Sequence, residues 1–215
     1  MFLFSIFFCI IFLPITIMLP TKVVGKVRKN KDKGVIIVAN HYSNYDAMLL
    51  DVKLKKRIRF LGKKELVKTK ITKWFFEKVA GIVSIDRGSA DIKATKQILQ
   101  LLKENKTIGV FPEGTRNKNE EDKFEAKNGV CMFAIKSKTP IVPVWLVKKP
   151  KLFRRNILLV GEPFELSEFY NERLSQEVLN KASAVLTEKM LELKKAYEQQ
   201  VLEKQIVKEM KKNKK

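Results

Sequence analysis

From residue 35 onward, short apolar runs alternate with longer stretches of helical periodicity, and this alternation restricts the chain to few architectures. Strand-length runs occupy 35–39, 57–61, 81–85, 107–111, 141–147 and 156–160. Helical patterns fall over 45–54, 64–79, 90–104 and 127–136. In the third of these, Ile92, Thr95, Ile98, Leu99 and Leu102 recur at helical spacing, with Ser89 as the expected N-cap and Asp91 in the first turn. Strands and helices in this order predict an α/β fold, a mostly parallel central sheet flanked by helices. With 215 residues, one domain of ordinary size can enclose a substantial core.

The two ends of the chain read differently. Residues 1–21 carry no charge, and the first cation is Lys22. A signal peptide would show a basic leader and a small-residue cleavage site, and neither is present. An N-terminal apolar membrane segment over 1–21 is therefore expected, close to the ~20 residues that span a bilayer. Pro14 and Pro20 interrupt it, so a helix dipping into one leaflet stands beside a full span. Lys22, Lys26, Arg28, Lys29, Lys31 and Lys33 follow, which predicts the cytoplasmic face of the cell membrane and contact with anionic lipid. Residues 22–170 form the expected main domain. Over 171–215 a long amphipathic helix is expected, with Leu174, Val178, Val185, Leu186, Met190, Leu193 and Tyr197 as its apolar stripe and a lysine-rich end. The plain reading of that element is a surface helix with a solvated tail; a second membrane contact is the sharper one.

The net charge of +21 implies an anionic partner surface: nucleic acid, an anionic membrane leaflet or phosphorylated substrates. Cys9 and Cys131 have no companions at ligand spacing, so neither a disulfide framework nor a metal site is indicated. Neither a Gly-x-x-x-x-Gly-Lys loop nor a Gly-x-Gly-x-x-Gly turn is present.

Polar clusters follow three of the strands: Asn40-His41, Asp86-Arg87-Gly88, and Pro112-Glu113-Gly114-Thr115-Arg116. Open α/β sheets bind ligands outside the carboxyl ends of their strands, so the three clusters converge on one rim. His41 is the sole histidine, the side chain suited at neutral pH to take and return a proton. Asp46 lies five positions on; the two would not share a helix face, and they meet only if the chain turns between strand and helix. The alternative is structural, because Ser43-x-x-Asp46 also fits a helix capping box. Arg87 and Arg116 would bring two guanidinium forks to the rim, a match for phosphate oxygens.

Asn40-His41-x-x-x-x-Asp46, Gly81 to Arg87, Phe111-Pro112-Glu113-Gly114-Thr115-Arg116 and Val142-Pro143-Val144 resemble the four ordered motifs of the glycerolipid acyltransferase superfamily, and among its members the bacterial 1-acylglycerol-3-phosphate acyltransferases. The likeness covers about residues 22–165. It departs after the third motif, where Asn117 to Asp122 replace the usual Ser-x-x-Gly and Phe124 to Gly129 stretch the next motif. The resemblance implies His41 as general base and Asp46 as its orienting carboxylate. It implies Arg87, Glu113, Gly114, Thr115 and Arg116 as the acceptor-phosphate site, with Glu113 expected to orient Arg116 or bind a substrate hydroxyl. Val142-Pro143-Val144 would be structural or part of an acyl-chain wall. Lys63 is a candidate for the thioester oxyanion. The implied reaction moves an acyl group from acyl-CoA or acyl carrier protein to a lyso-phospholipid acceptor at an anionic membrane surface, with no separate cofactor and no nucleic acid. A sibling acyltransferase acting on another lyso-lipid or glycerol-3-phosphate, or a non-catalytic basic protein binding anionic lipid or nucleic acid, are the competing readings.

Overall fold

The computed structural model describes residues 17–27, 34–54, 57–63, 81–85, 91–117 and 124–212, together with positions 14, 69, 70 and 74. The apolar segment expected over 1–21 lies mostly outside these residues, as do Arg87 and most of the helix expected over 64–79. No helix among the described residues is long and apolar enough to cross a membrane.

Seven strands form one sheet: β1 (Thr21–Val24), β2 (Ile36–Ala39), β3 (Ile58–Lys63), β4 (Val83–Ile85), β5 (Thr107–Val110), β6 (Ile141–Leu146) and β7 (Asn156–Val160), in the order β1-β7-β6-β2-β5-β3-β4. Strands β2 to β6 run parallel; β7 is antiparallel to β6, and β1 is parallel to β7. The carboxyl ends of β2 to β6 therefore share one rim, and β1 and β7 start at that rim. Among the described residues the helices are α1 (Asp46–Leu54), α2 (Ile92–Lys103), α3 (Asn128–Ser137) and α4 (Gln176–Lys212), with a 3₁₀ turn at Ser167–Phe169. This is the α/β architecture expected from the alternation.

Strand β2 is central and every residue in it is buried. Such a strand reads as a continuous apolar run because both faces are covered. Ile36 and Val38 face a core built with α2, α3 and α4, whereas Ile37 and Ala39 face a second core with Leu49 and Leu50 of α1. The period of two assigns alternate residues to opposite layers.

Two local expectations are corrected. The sheet begins at Thr21 rather than at residue 35, because the short run Thr21-Lys22-Val23-Val24 pairs with β7 at the sheet edge. The described N-cap of α2 is Asp91, whose carboxylate accepts from Ala94 N at 2.9 Å; the expected cap, Ser89, lies outside the described residues. The C-terminal helix packs through the expected apolar stripe. Val178, Ala182, Leu186 and Met190 are buried in the main core, and only its later part, from about Leu202, stands clear. Its 37 residues make a rod of about 55 Å.

Asp51 ties α1 to β3 by accepting from Ile58 N at 2.7 Å. Burial pushes this carboxyl up to about 6, against the lowering effects of that hydrogen bond and of Arg57. Because the folded pKa lies above the unfolded one, the folded state holds the proton more tightly. Stability is greatest below the unfolded pKa and falls as pH rises towards 6. Asp51→Asn keeps an acceptor for Ile58 N without the charge. It is expected to raise stability at about pH 7.5 by about 2 kcal/mol and to change it little at about pH 4. Urea unfolding of both proteins at the two pH values is the check; an equal effect at both would disprove the cause.

Candidate active site

The chain leaves β2 at Asn40, whose side chain completes the sheet where the backbone turns away. Its amide Nδ2 donates to Leu146 O at 2.9 Å and its Oδ1 accepts from Leu146 N at 2.8 Å. This buried pair imitates one more rung of the β2–β6 ladder and fixes the direction of the next residue. Removing it would strand two buried backbone groups, at about 1–3 kcal/mol each.

His41 and Asp46 meet across the turn between β2 and α1. His41 Nδ1 lies 2.8 Å from Asp46 Oδ2. The imidazole keeps 20% exposure while the carboxylate has none. Oδ2 also accepts from Tyr42 N (2.6 Å) and Ser43 N (2.7 Å), and Oδ1 accepts from Ser43 Oγ (2.7 Å). An oxygen already receiving two backbone N–H groups acts as an acceptor, so Nδ1 carries the proton and Nε2 carries the lone pair. The capping and dyad readings are therefore not alternatives: Asp46 receives Ser43 N at the helix start and holds the histidine at once.

Aromatic stacking sets the plane of the imidazole. His41 stacks on Phe111 with centroids 4.1 Å apart and planes 14° apart, and Phe111 stacks on Phe60 at 5.4 Å. Gly109 makes room for this column, since a Cβ there would come within 2.4 Å of the Phe60 ring.

The loop after β5 is laced to the histidine loop. Glu113 Oε1 accepts from His41 N at 2.9 Å, and Asn117 N donates to His41 O at 2.7 Å. Arg116 Nη1 donates to Asn44 Oδ1 at 2.9 Å. Glu113 thus fixes the histidine backbone, and Asn44 rather than Glu113 holds Arg116, which differs from the first of the two roles expected for Glu113, orienting Arg116 or binding a substrate hydroxyl. Burial raises the Glu113 carboxyl above its usual range, against the lowering effects of the His41 N–H and imidazole; the charge of Asp46 adds to the rise. Gly114 adopts φ +73°, and a Cβ there would meet Lys127 Nζ at 2.8 Å. Thr115 and Arg116 are exposed on the rim.

Among the remaining candidates, Arg87 lies outside the described residues, and β4, which precedes it, is the edge strand. Strand β4 lies three strand positions from β2, or about 14 Å. Lys63 ends β3. Val142-Pro143-Val144 lies inside β6 against β2, which is a structural position. Cys131 is buried and its thiol is pushed up to about 12, so it is not a nucleophile. Phe60 and Gly109 lie outside the sequence motifs, and the hydrogen-bonding roles of Asn40 and Asn44 within theirs appear only in the structure. A glycine inside a strand run was the available signal, because it marks a close approach.

The family model described as Acyltransferase matches residues 20–147. The chain belongs to the acyltransferase family. It is 29% identical over 188 residues to the 1-acyl-sn-glycerol-3-phosphate acyltransferase of Bacillus subtilis, covering 83% of this chain and 90% of that protein. The enzyme of the same name from Borreliella burgdorferi is 28% identical over 138 residues, covering 63% of this chain; the chain spans 54% of that protein's length. Among solved structures, the 1-acyl-sn-glycerophosphate (LPA) acyltransferase PlsC from Thermotoga maritima matches with a TM-score of 0.61 at 25% identity, covering 82% of this chain and 72% of that one. The family match contains His41, Asp46 and the whole Glu113 to Arg116 loop.

Glu113 holds the His41 backbone N–H, a task that needs an acceptor rather than a charge. Glu113→Gln is expected to retain activity at least about tenfold better than Glu113→Ala, which strands the His41 N–H. Steady-state kinetics of the two variants decide it, and equal losses would assign the carboxylate a role in charge.

Proposed function

We propose that this acyltransferase moves a fatty acyl group from an acyl thioester to the free hydroxyl of 1-acylglycerol-3-phosphate, forming phosphatidic acid. The observation that carries the reading is the histidine–carboxylate pair on the strand rim, laced to a Phe-Pro-Glu-Gly-Thr-Arg loop, in a chain similar to enzymes of that name. Acyl-CoA and acyl carrier protein are the two proposed donors, and no separate cofactor enters the reaction.

In the proposed mechanism the acceptor hydroxyl gives its proton to His41 Nε2 as its oxygen attacks the thioester carbonyl carbon. A carbon–oxygen bond forms and the carbonyl becomes an oxyanion. When the intermediate collapses, the carbon–sulfur bond breaks and the imidazolium returns the proton to the departing sulfur. Asp46 holds the tautomer and stabilises the imidazolium, a general-base arrangement contributing about 10²–10⁴-fold. The hydroxyl attacks directly, so no protein nucleophile is required. Ser43 Oγ, two positions from His41, already donates to Asp46.

Arg116, with Arg87, is proposed to bind the acceptor's phosphomonoester, which carries close to two negative charges at neutral pH. Gly114 and Thr115 form the loop beside it. The uncharged residues 1–21, followed by cations, support a retained anchor and a position on the cytoplasmic face of the cell membrane.

The experiment is an acyltransferase assay on the full chain, with 1-acylglycerol-3-phosphate, other lyso-lipids and glycerol-3-phosphate as acceptors and both donor types. 1-Acylglycerol-3-phosphate is expected to be the preferred acceptor, and His41→Ala to abolish turnover. Arg116→Ala is expected to raise the acceptor KM more than the donor KM, with poor rescue by lysine, which loses the fork. A donor KM that rose instead would assign the arginine to the carrier's phosphates and remove the support for this acceptor.

A further inference from the structure

The β6–β7 hairpin carries a built feature that the chemistry above does not use. Its loop reads Lys148-Lys149-Pro150-Lys151-Leu152-Phe153-Arg154-Arg155, five cations in eight residues. No Asp or Glu occurs anywhere between Glu125 and Glu162. Leu152 and Phe153 stand at its tip, 48% and 72% exposed.

This exposure does not come from a slack loop. Asn156, buried beneath it, accepts from Lys151 N at 2.9 Å and donates to Arg154 O at 2.9 Å and Lys151 O at 3.2 Å. Phe153 is held at φ +56°, a conformation that bulky side chains rarely adopt. Its N–H donates to Met18 O at 2.6 Å, and Asn156 N donates to Pro20 O at 2.8 Å. The loop is therefore pinned where the uncharged N-terminal stretch gives way to β1.

Its position in the fold adds to this. The loop leaves the carboxyl end of β6, the strand beside β2, and Leu146 just before it is the residue clamped by Asn40. It thus shares the rim with His41. Eight large hydrophobic side chains are exposed among the described residues, and five of them lie on that rim or next to it: Ile17 beside Met18, Tyr45 and Ile92 at helix starts, and Leu152 and Phe153. Apolar tips ringed by cations suit the boundary between anionic headgroups and acyl chains, where each cation and each buried apolar group adds to binding.

We infer that the 148–155 hairpin is a membrane-docking element that inserts Leu152 and Phe153 into an anionic leaflet while its lysines and arginines bind the headgroups, turning the His41 rim towards the lipid. The inference rests on the reading of the protein as membrane-associated and goes beyond it by naming the surface. With this rim facing the bilayer, a lyso-lipid acceptor reaches His41 by a short lift from the leaflet.

The test uses the full chain with an environment-sensitive fluorophore at Phe153→Cys or, as a second position, Leu152→Cys, in a Cys9→Ser background; Cys131 is buried and stays. A label at Glu104→Cys, on the opposite rim, is the control. Vesicles of phosphatidylglycerol with phosphatidylcholine are compared with pure phosphatidylcholine. The label at 153 or 152 is expected to shift to the blue and be quenched by lipid-borne quenchers on the anionic vesicles, with the control silent. Lys151→Gln/Arg154→Gln/Arg155→Gln is expected to lower partition into those vesicles about 100-fold. A silent loop label, whether the protein sediments with vesicles or stays in solution, overturns the inference. So does an equal response on both vesicle types, or a response to duplex nucleic acid in place of vesicles. Activity towards 1-acylglycerol-3-phosphate is measured in parallel. An inactive protein whose loop label responds refutes the acyltransferase reaction and leaves the docking, and an active one with a silent label does the reverse.

Discussion

One buried carboxylate organises the site. Asp46 has no exposed surface, and its two oxygens receive four donors: the His41 ring, two backbone N–H groups and the Ser43 hydroxyl. A carboxylate in such a place is costly unless its hydrogen-bonding capacity is met from within the protein. Meeting it forces the chain between β2 and α1 into a single turn. The imidazole, the helix start and the path of residues 40–46 therefore share one cause. The remaining contacts brace that turn from outside: Asn40 from β6, Glu113 and Asn117 from the loop after β5, and Phe111 from below the ring.

The sheet explains why these braces reach one another. Strands β2, β5 and β6 are neighbours and parallel, so the three segments leaving them emerge side by side. Residues about 70 positions apart, such as His41 and Glu113 or Asn44 and Arg116, become direct partners without any long side chain having to span the sheet. The same geometry brings the start of β1 and the basic β6–β7 hairpin to the rim of the histidine.

Much of this could be read in the sequence, and the reasons are physical. The buried run Val35 to Ala39 identified a central strand because both its faces are covered. The lone histidine and Asp46 were recognisable as a pair because strand and helix patterns forced a turn between them. The motif around Glu113 marked the second loop. What could not be read depends on long-range packing. Asn40 looks like any polar residue at a strand end until Leu146 is known to lie beside it. Asn44 rather than Glu113 meets Arg116 because the spatial register of two loops decides which side chain reaches which. The edge strand β1 was hidden among cations, since four residues carry little periodicity and their pairing partner is 135 positions away in the Thr21–Asn156 pair. The apolar stripe over 171–215 was legible despite the charge around it, and every residue of it lies in or against the main core.

The central claim is that the charge of Asp46, and not only its capping of α1, supports the proton chemistry of His41. Asp46→Asn separates the two. The amide oxygen can receive the Oδ2 donors while its nitrogen donates to Ser43 Oγ, so the turn has partners throughout, and the negative charge that stabilises an imidazolium is gone. The most direct measurement is kcat of Asp46→Asn beside its thermal unfolding midpoint. The account expects a midpoint close to that of the unaltered protein and a kcat lower by about 10²-fold or more. A kcat near the unaltered value, with the fold intact, would contradict it and leave Asp46 as a helix cap alone.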